Sequence, residues 1–166
     1  DRSAVDPCLV TSPHVYYLDG VFHMNYVSGL RWIRDTGQKL KSFYHIKYAS
    51  SNDGIEWRRY GEAAIDFLPG ESNIARPSVL FEEGIYKMWY CYLREENKTY
   101  RIGYAESING RQWKRKDDQS GIELSPVGFD SAMLCYPNVF KADNRVYMCY
   151  NGNNYGKEGF GLAVWE

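Results

Sequence analysis

Residues 74–113 read IARPSVLFEEGIYKMWYCYLREENKTYRIGYAESINGRQW. A strand that contains Pro77 is followed by a Glu-Gly turn and then by a strand in which aromatic residues alternate with others. After a polar loop, a third strand leads into an Asn-Gly turn, which is typical of a tight hairpin connection, and then into Trp113. This segment therefore predicts a single antiparallel sheet of about four short strands.

The same arrangement occurs three times along the chain, with first prolines 64 and then 60 residues apart. Each copy has a Pro-x-Val element, a Met two residues before a Tyr in the second strand, and an Ala in the third strand. The equivalent residues are Pro13, Pro77 and Pro137; Met24, Met88 and Met148; Tyr26, Tyr90 and Tyr150; and Ala49, Ala105 and Ala163. A repeat of roughly 60 residues with four strands is typical of β-propeller blades. We therefore expect an all-β fold of about three blades, at about residues 12–60, 76–116 and 136–166 of one partial propeller domain that spans residues 1–166.

The aromatic content supports this prediction. Phe, Trp and Tyr make up 16% of the chain, and large aromatic side chains suit the wide contact between neighbouring blades. Propellers close with about 4–8 blades, so the sequence predicts that the missing blades come from the same longer chain or from a second copy. The alternative is a β-sandwich in which the recurring turn, Met, Tyr and Trp positions coincide by accident.

The overall composition argues against several classes of function. The net charge of −1, without a basic stripe, argues against nucleic-acid binding. No run of about 18 apolar residues is present, so the sequence predicts no membrane-spanning helix. The four Cys lack CxxC spacing and only three His occur, which predicts buried free thiols, a reducing cytoplasmic location and no structural zinc site. We expect no metal or other cofactor, although the sequence leaves an ion on the propeller axis open.

Several motifs resemble those of one enzyme superfamily. The pattern A-x-S-x-(D/N)-G-x-x-W occurs at residues 49–57 and 105–113, and Y-x-M-W-Y occurs at residues 86–90. They resemble the five-bladed β-propeller glycosidase-like superfamily, which includes glycoside hydrolase families 43, 32 and 68 and the family 130 phosphorylases. The segments ARPSV, GFDSAMLCYPNV and YNGNNYGKEGFGLAV are similar to the C-terminal half of uncharacterised glycosidase-like propellers from bacterial surface-polysaccharide loci. The resemblance covers essentially the whole chain and implies its C-terminal three blades.

The resemblance also implies a pocket on the propeller axis. In this superfamily, residues at the start of each innermost strand point into that pocket, which implies that Ser12, Arg76 and Tyr136, each directly before a Pro, are axial. The family 43 pattern has an Asp at such a position in its first blade, whereas this chain has Ser12. A catalytic base could therefore lie in blades outside this chain.

Carboxylates before the inner strands are the candidate catalytic groups. Asp6 and Asp130 lie seven residues before the first and third of the repeated prolines, and Glu71 lies six residues before the second. Glycoside cleavage needs two carboxyl groups, one protonated and one ionised, and we predict that they come from Asp130, Asp6 and Glu71. The alternative for Asp6 and Asp130 is a structural role in capping the turn before the strand. The chain also departs from the propellers it resembles at Ala132, where they carry an acidic residue. Alanine cannot transfer a proton, so a catalytic acid at this position has no equivalent in this chain.

Seven residues are candidates for substrate binding. Arg76 offers two parallel N–H groups to an anionic sugar, and Trp32 offers an aromatic platform in a polar loop predicted over residues 28–42. The alternatives are a structural ion pair for Arg76 and a hydrogen-bonded core position for His14. The complete set is Arg76, Tyr136, Ser12, His14, Trp32, Asn151 and Asn153.

These features favour a glycosidase-like propeller that acts on an oligosaccharide or polysaccharide by hydrolysis or phosphorolysis. A phosphorolytic reaction needs a basic phosphate pocket, for which Arg76 and Arg94 are the candidates. The alternatives are a glycan-binding propeller without catalysis and a propeller that binds a partner protein. The sequence contains neither a phosphate-binding loop motif nor a G-x-S-x-G nucleophile elbow.

Overall fold

The computed structural model describes residues 2–165, which form three consecutive antiparallel sheets, the first two of which are joined into one eight-stranded sheet by a single parallel pair. The first sheet contains β1 (Leu9–Leu18), β2 (Val21–Arg34), β3 (Leu40–Ser51) and β4 (Arg58–Ile65). The second contains β5 (Glu71–Glu82), β6 (Ile85–Arg94), β7 (Tyr100–Ser107) and β8 (Lys114–Arg115). The third contains β9 (Cys135–Ala142), β10 (Arg145–Asn151) and β11 (Phe160–Trp165). Short helical turns occur at Asp117–Gln119 and Asn153–Gly156, and the predicted all-β propeller fold is confirmed.

The first strands of the three sheets lie next to one another. Strand β1 contacts β5, and β5 contacts β9, whereas the remaining strands of each sheet follow outward in chain order. At one edge, a single parallel pair between Tyr44 and Asn73 joins the first sheet to the second. The innermost strands are therefore β1, β5 and β9, and the residues at their ends lie closest to the common axis.

The three sheets repeat the same cross-strand register. In the second sheet, Met88 pairs with Val79 on one side and with Ala105 on the other. The equivalent triplets are Val15, Met24 and Ala49 in the first sheet and Val139, Met148 and Ala163 in the third. Because side chains directly opposite each other share a face, the sequence repeat translates into one packing layer in each sheet.

The Asx-Gly turns that leave β3 and β7 are also equivalent. The Asn109 Oδ1 atom accepts hydrogen bonds from the backbone N–H groups of Arg111 and Gln112, both at 2.9 Å. Trp113 Nε1 donates to the carbonyl oxygen of Gly110 at 3.1 Å, and Gly110 has a φ of 69°, which suits glycine. The same bonds recur in the first sheet through Asp53, Gly54 and Trp57. These turns therefore fix where each outer strand begins.

Apolar cores fill the space between successive sheets. Between the first and second sheets, Ile46, Ile74 and Met88 are fully buried. Between the second and third sheets, Trp89 packs with Leu134 and Met148, and its Nε1 donates to the carbonyl oxygen of Ser120 at 3.2 Å. Burying these side chains removes large apolar areas from water, which holds adjacent sheets together.

The prediction of a loop over residues 28–42 is wrong, because most of this segment forms β-strands. Strand β2 continues to Arg34 and β3 begins at Leu40, so only residues 35–39 connect them. Arg31 pairs with Phe43 across the strands, and its guanidinium lies 4.4 Å from the centre of the Phe43 ring. Aromatic and β-branched residues on both sides favour strand pairing over a loop, despite the charged residues between them. The two strands form a projecting hairpin that carries Trp32.

Two further observations concern the whole described chain. Among residues 2–165, no helix is long and apolar enough to cross a membrane. The four cysteines are free thiols, of which Cys91 and Cys135 are buried.

Candidate functional site

The three residues predicted to be axial share an unusual backbone conformation. Ser12, Arg76 and Tyr136 have φ angles of 48°, 54° and 56°, in a region that residues other than glycine rarely adopt. The pairing of β1 with β2 shifts at Ser12, and the pairing of β5 with β6 shifts at Arg76. The pairing of β9 with β10 shifts at the equivalent place. Each inner strand therefore has a bulge before its proline, which redirects one side chain.

The three redirected side chains line one open cavity of about 660 Å³. The structure thus brings together Ser12, Arg76, Tyr136 and Asn151, four of the residues predicted to bind substrate. The other residues that line the cavity are Asn138, Cys149, Tyr150 and Phe160. Directly before Arg76 and Tyr136, Ala75 and Cys135 are buried in an apolar cluster. In β5 and β9, two consecutive residues therefore face different environments: the first is buried in the core and the second lines the cavity.

The cavity carries a single positive charge. Arg76 is exposed and is the one charged residue among the eight that line the cavity. Its guanidinium forms no ion pair or side-chain hydrogen bond with any other residue in the range 2–165. The structural ion pair considered as an alternative for Arg76 is therefore not found in the described part of the chain, and its N–H groups can bind a ligand.

An aromatic wall borders the cavity. The ring of Tyr136, which is 37% exposed, stacks on the ring of Tyr155 with centroids 6.1 Å apart and an interplanar angle of 27°. Tyr100 lies edge-on to Tyr155 at 6.2 Å, and its hydroxyl is hydrogen-bonded to that of Tyr44. Burial raises the pKa of Tyr136 to about 12, so its hydroxyl stays protonated and can donate at neutral pH.

The loop at residues 152–156, which carries Tyr155, is held by Asn153. The buried Asn153 side chain accepts hydrogen bonds from the backbone N–H groups of Ala132 at 2.8 Å and Met133 at 3.0 Å. Its amide nitrogen donates to the carbonyl oxygen of Gly128 at 3.1 Å and to Glu158 at 3.0 Å. Asn153, a predicted substrate-binding residue, is not among the residues that line the cavity and joins this loop to the segment before β9.

The predicted catalytic residue Asp6 lies in a buried cluster of charged and polar groups. Asp6 is fully buried and accepts hydrogen bonds from the Tyr26 hydroxyl at 3.2 Å and from Arg59 at 3.0 Å. The Lys47 ammonium, itself buried, lies 3.7 Å from the same carboxylate. These contacts place the Asp6 carboxylate between two cations and a tyrosine, away from the residues that line the cavity.

Glu71 and Asp130 occupy related positions in the next two sheets. The Glu71 carboxylate binds the Arg115 guanidinium through two bonds of 2.7 and 2.8 Å, and Arg115 is equivalent to Arg59 in the repeat. Asp130 is buried and accepts a hydrogen bond of 2.8 Å from the Tyr150 hydroxyl. Neither lines the cavity itself, but the Tyr150 side chain that binds Asp130 does. Of the three predicted carboxylates, Asp130 is thus one hydrogen bond from the cavity.

His14 and Trp32 lie outside the cavity. His14 Nε2 donates to the carbonyl oxygen of Val79 on β5 at 3.2 Å, and burial lowers the pKa of the imidazole. The bulge at Ser12 breaks the two-residue alternation of side chains, which explains why His14 does not share the direction of Ser12. Trp32 is 48% exposed on the projecting hairpin.

Four residues that line the cavity were not predicted from the sequence. Asn138 and Cys149 pair with each other across β9 and β10, next to the register shift, so simple alternation from Tyr136 or Asn151 does not predict their direction. Phe160 pairs with Asn151 across β10 and β11, which depends on the length of the intervening loop. The direction of Tyr150 depends on the register shift in β10, which the sequence does not reveal.

Sequence comparison finds relatives but no family model that matches. The chain is 37% identical over 163 residues to the "Uncharacterized protein Rv1502" of Mycobacterium tuberculosis (strain ATCC 25618 / H37Rv). The same identity is found with "Uncharacterized protein MT1551" of strain CDC 1551 / Oshkosh. In both cases the alignment covers 97% of this chain and 52% of the relative, so the chain spans about half the length of the curated relatives it matches.

Solved structures of glycoside hydrolases share the fold. Zg3597, a family 117 glycoside hydrolase produced by the marine bacterium Zobellia galactanivorans, superposes with a TM-score of 0.79 at 19% identity, over 99% of this chain and 54% of that one. A family 43 β-xylosidase/α-arabinofuranosidase from a compost microbial metagenome gives a TM-score of 0.62 at 20% identity, over 89% and 43% of the two chains. A family 32 β-fructofuranosidase of Bombyx mori gives 0.64 at 14% identity, over 92% and 32%. The expected resemblance is thus confirmed at the level of fold: the chain folds like one part of the five-bladed β-propeller glycoside hydrolases.

Proposed function

We propose that the cavity binds a carbohydrate and that the protein acts on an oligosaccharide or polysaccharide by hydrolysis or phosphorolysis. The observation that carries this proposal is the convergence of three bulges, on three inner strands, that direct Ser12, Arg76 and Tyr136 into one cavity. The solved structures that share the fold are glycoside hydrolases, which supports a carbohydrate as the ligand.

The side chains around the cavity match the surface of a sugar. A pyranose or furanose ring has an apolar face of C–H groups, which can pack on the stacked rings of Tyr136 and Tyr155. Its hydroxyl groups need donors and acceptors, which Ser12, Asn138 and Asn151 provide at the cavity wall. The aromatic surface and the neutral polar groups are thus complementary to both kinds of sugar surface.

Catalysis requires carboxyl groups in addition to this binding surface. Retaining glycosidases use two carboxyl groups about 5–5.5 Å apart, and inverting enzymes use a separation of about 6.5–9.5 Å. Asp130 is our leading candidate for one of them, since its one side-chain partner among the described residues is Tyr150, which lines the cavity. Asp6 and Glu71 remain candidates from the sequence, although their bonds to Arg59 and Arg115 favour a structural role.

Binding of a glycan without turnover is the second candidate function. It is favoured by the absence of a carboxylate among the eight residues that line the described cavity. Ala132, at a position where the resemblance implies an acidic residue, points the same way.

The two functions are distinguished by incubating the full-length protein with a panel of oligosaccharides, with and without phosphate, and following the products by mass. Asp130→Asn tests the candidate acid, and Asp143→Asn, in the exposed turn between β9 and β10, is the matched control. Turnover that is lost in Asp130→Asn and kept in Asp143→Asn would support an enzyme that uses Asp130. Turnover in both variants would leave an enzyme and exclude Asp130, whereas binding without turnover would support the second candidate.

A further inference from the structure

We propose that the carbohydrate bound in this cavity is acidic, and that Arg76 recognises the carboxylate of a uronic acid residue. This inference rests on the proposed function and adds a substrate class to it. It is based on the position of the Arg76 guanidinium, which has no ion pair or side-chain hydrogen bond within residues 2–165, in a cavity whose other lining groups are neutral.

The charge balance of the cavity favours an anionic ligand. A bound ligand displaces water from the Arg76 guanidinium, and a buried cation that lacks a counter-charge is costly. No carboxylate among the eight lining residues can supply that charge. The Tyr136 hydroxyl cannot supply it either, because burial raises its pKa to about 12 and keeps it protonated. Among the described residues, no group that lines the cavity balances the charge of Arg76, which leaves this role to the ligand.

The geometry favours a carboxylate over a phosphate group. A guanidinium presents two parallel N–H groups that match the two oxygens of a carboxylate, and one positive charge balances one negative charge. A phosphate monoester carries a charge of about −1.5 to −2 at neutral pH and is best held by further cations or backbone N–H groups. The cavity offers neutral amide and hydroxyl groups instead, from Asn138, Asn151 and Ser12.

Arg76 has a strained backbone conformation, which local stability does not explain but which directs its side chain into the cavity. A residue other than glycine is strained in the left-handed region, because its Cβ lies too close to the backbone. Arg76 adopts a φ of 54°, and the bulge that requires it directs the guanidinium into the cavity. Asparagine tolerates this conformation better than most residues, so Arg76→Asn removes the charge without adding backbone strain.

The proposal is tested by calorimetric titration of the full-length protein with uronic-acid oligosaccharides and with the same oligosaccharides after their carboxyl groups have been reduced to alcohols. We expect the acidic ligand to bind about tenfold or more tightly than its reduced counterpart, as a charge-assisted hydrogen-bonded pair provides. Arg76→Asn should abolish this difference, and Arg76→Lys should keep part of it. Arg145→Asn, an exposed arginine at the far end of β10, is the matched control and should bind like the unchanged protein.

The possible outcomes separate this inference from the function on which it rests. Equal binding of the acidic and reduced ligands would overturn the inference and leave carbohydrate binding intact. Tighter binding of a sugar phosphate than of the uronic acid would also overturn it. If thermal unfolding shows folded protein and neither ligand binds, the proposed function fails together with the inference.

Discussion

At the scale of single residues, the three sheets form the same tyrosine–aspartate hydrogen bond with aspartates from different places in the repeat. Tyr26 and Tyr150 occupy equivalent positions, and their hydroxyls donate to Asp6 and Asp130. In the second sheet the equivalent Tyr90 donates to Asp117 instead. A carboxylate beneath the tyrosine of the second strand is therefore common to the three sheets, although its place in the sequence differs.

Replacement of Glu71 tests whether the buried ion pair is structural. The Glu71 side chain is fully buried and that of Arg115 is 13% exposed, so Glu71→Gln leaves a largely buried guanidinium short of one counter-charge. Breaking such a pair costs about 3–5 kcal/mol, and the lower value is expected because Arg115 keeps its contact with Asp117. Urea unfolding followed by tryptophan fluorescence measures this change in the free energy of unfolding.

Glu82→Gln is the matched control for this measurement. Glu82 pairs with Lys87 at 3.0 Å and Lys141 at 2.6 Å in a more exposed setting, so its replacement should cost less than about 1 kcal/mol. If Glu71→Gln unfolds like the unchanged protein but loses turnover, the structural interpretation is wrong and Glu71 has a catalytic role.

At the scale of strands and loops, the sequence predicts the features that are determined by residues close together in the chain, such as side-chain alternation and tight turns. The Val79, Met88 and Ala105 layer follows from the two-residue alternation of strands, and the turn at Asn109 follows from its Asn-Gly pair. Both are local patterns, and the structure contains them where the repeat places them.

Contacts between distant parts of the chain could not be predicted in the same way. The Asp6 carboxylate meets Arg59 across 53 residues, and the Tyr44 hydroxyl meets that of Tyr100 across 56. The sequence identifies Asp6 as a carboxylate before an inner strand, but its cationic partners are revealed only when the sheet forms. The resemblance to the propeller superfamily, applied to the residue before Pro77, predicted the cavity position of Arg76, whereas the partners of the carboxylates were not predictable.

The loop that carries Tyr155 gives a prediction at this scale. In Asn153→Ala, the backbone N–H groups of Ala132 and Met133 lose their acceptor, which costs about 1–3 kcal/mol for a buried unsatisfied group. The loop should also hold Tyr155 less firmly against Tyr136, so carbohydrate affinity should fall together with stability. Thermal unfolding and ligand titration on the same samples measure both effects.

Asn97→Ala provides the comparison, because Asn97 is exposed in the connection between β6 and β7. A surface substitution of this kind changes the free energy of unfolding by about 0.5 kcal/mol or less. Unchanged affinity in Asn153→Ala, alongside lower stability, would show that the loop does not position Tyr155 for binding.

At the scale of the whole molecule, the cavity and the core beneath it depend on all three sheets. The buried cluster below the cavity contains Val27 from the first sheet, Ala75 and Cys91 from the second, and Cys135 from the third. The cavity wall likewise takes Ser12, Arg76 and Tyr136 from three different inner strands. The shape of the cavity therefore depends on the packing of the sheets, and conditions that loosen the sheets should weaken the proposed site.

Acid is one such condition, because burial lowers the pKa of all three histidines, His14, His23 and His45. The folded protein favours the neutral imidazole, whereas an unfolded chain protonates its histidines near a pKa of about 6.5. Below that pH the unfolded chain binds more protons than the folded protein, so the free energy of unfolding decreases as the pH falls. Above a pH of about 6.5 the histidines are neutral in both states, and their contribution to stability is fully retained. The decrease is at most about 1.4 kcal/mol per pH unit for each histidine, and it precedes the loss from Glu82 and Glu106, whose lowered pKa values act in a more acidic range.

His14→Gln isolates one histidine from this effect. The glutamine amide can still donate a hydrogen bond to the carbonyl oxygen of Val79, but it has no charge to gain in acid. Chemical unfolding of both proteins between pH 7.5 and 5 should therefore give a shallower decrease in the free energy of unfolding for His14→Gln. A steeper decrease, or a stability of the unchanged protein that rises between pH 6.5 and 5, would contradict the view that the folded state holds His14 in its neutral form.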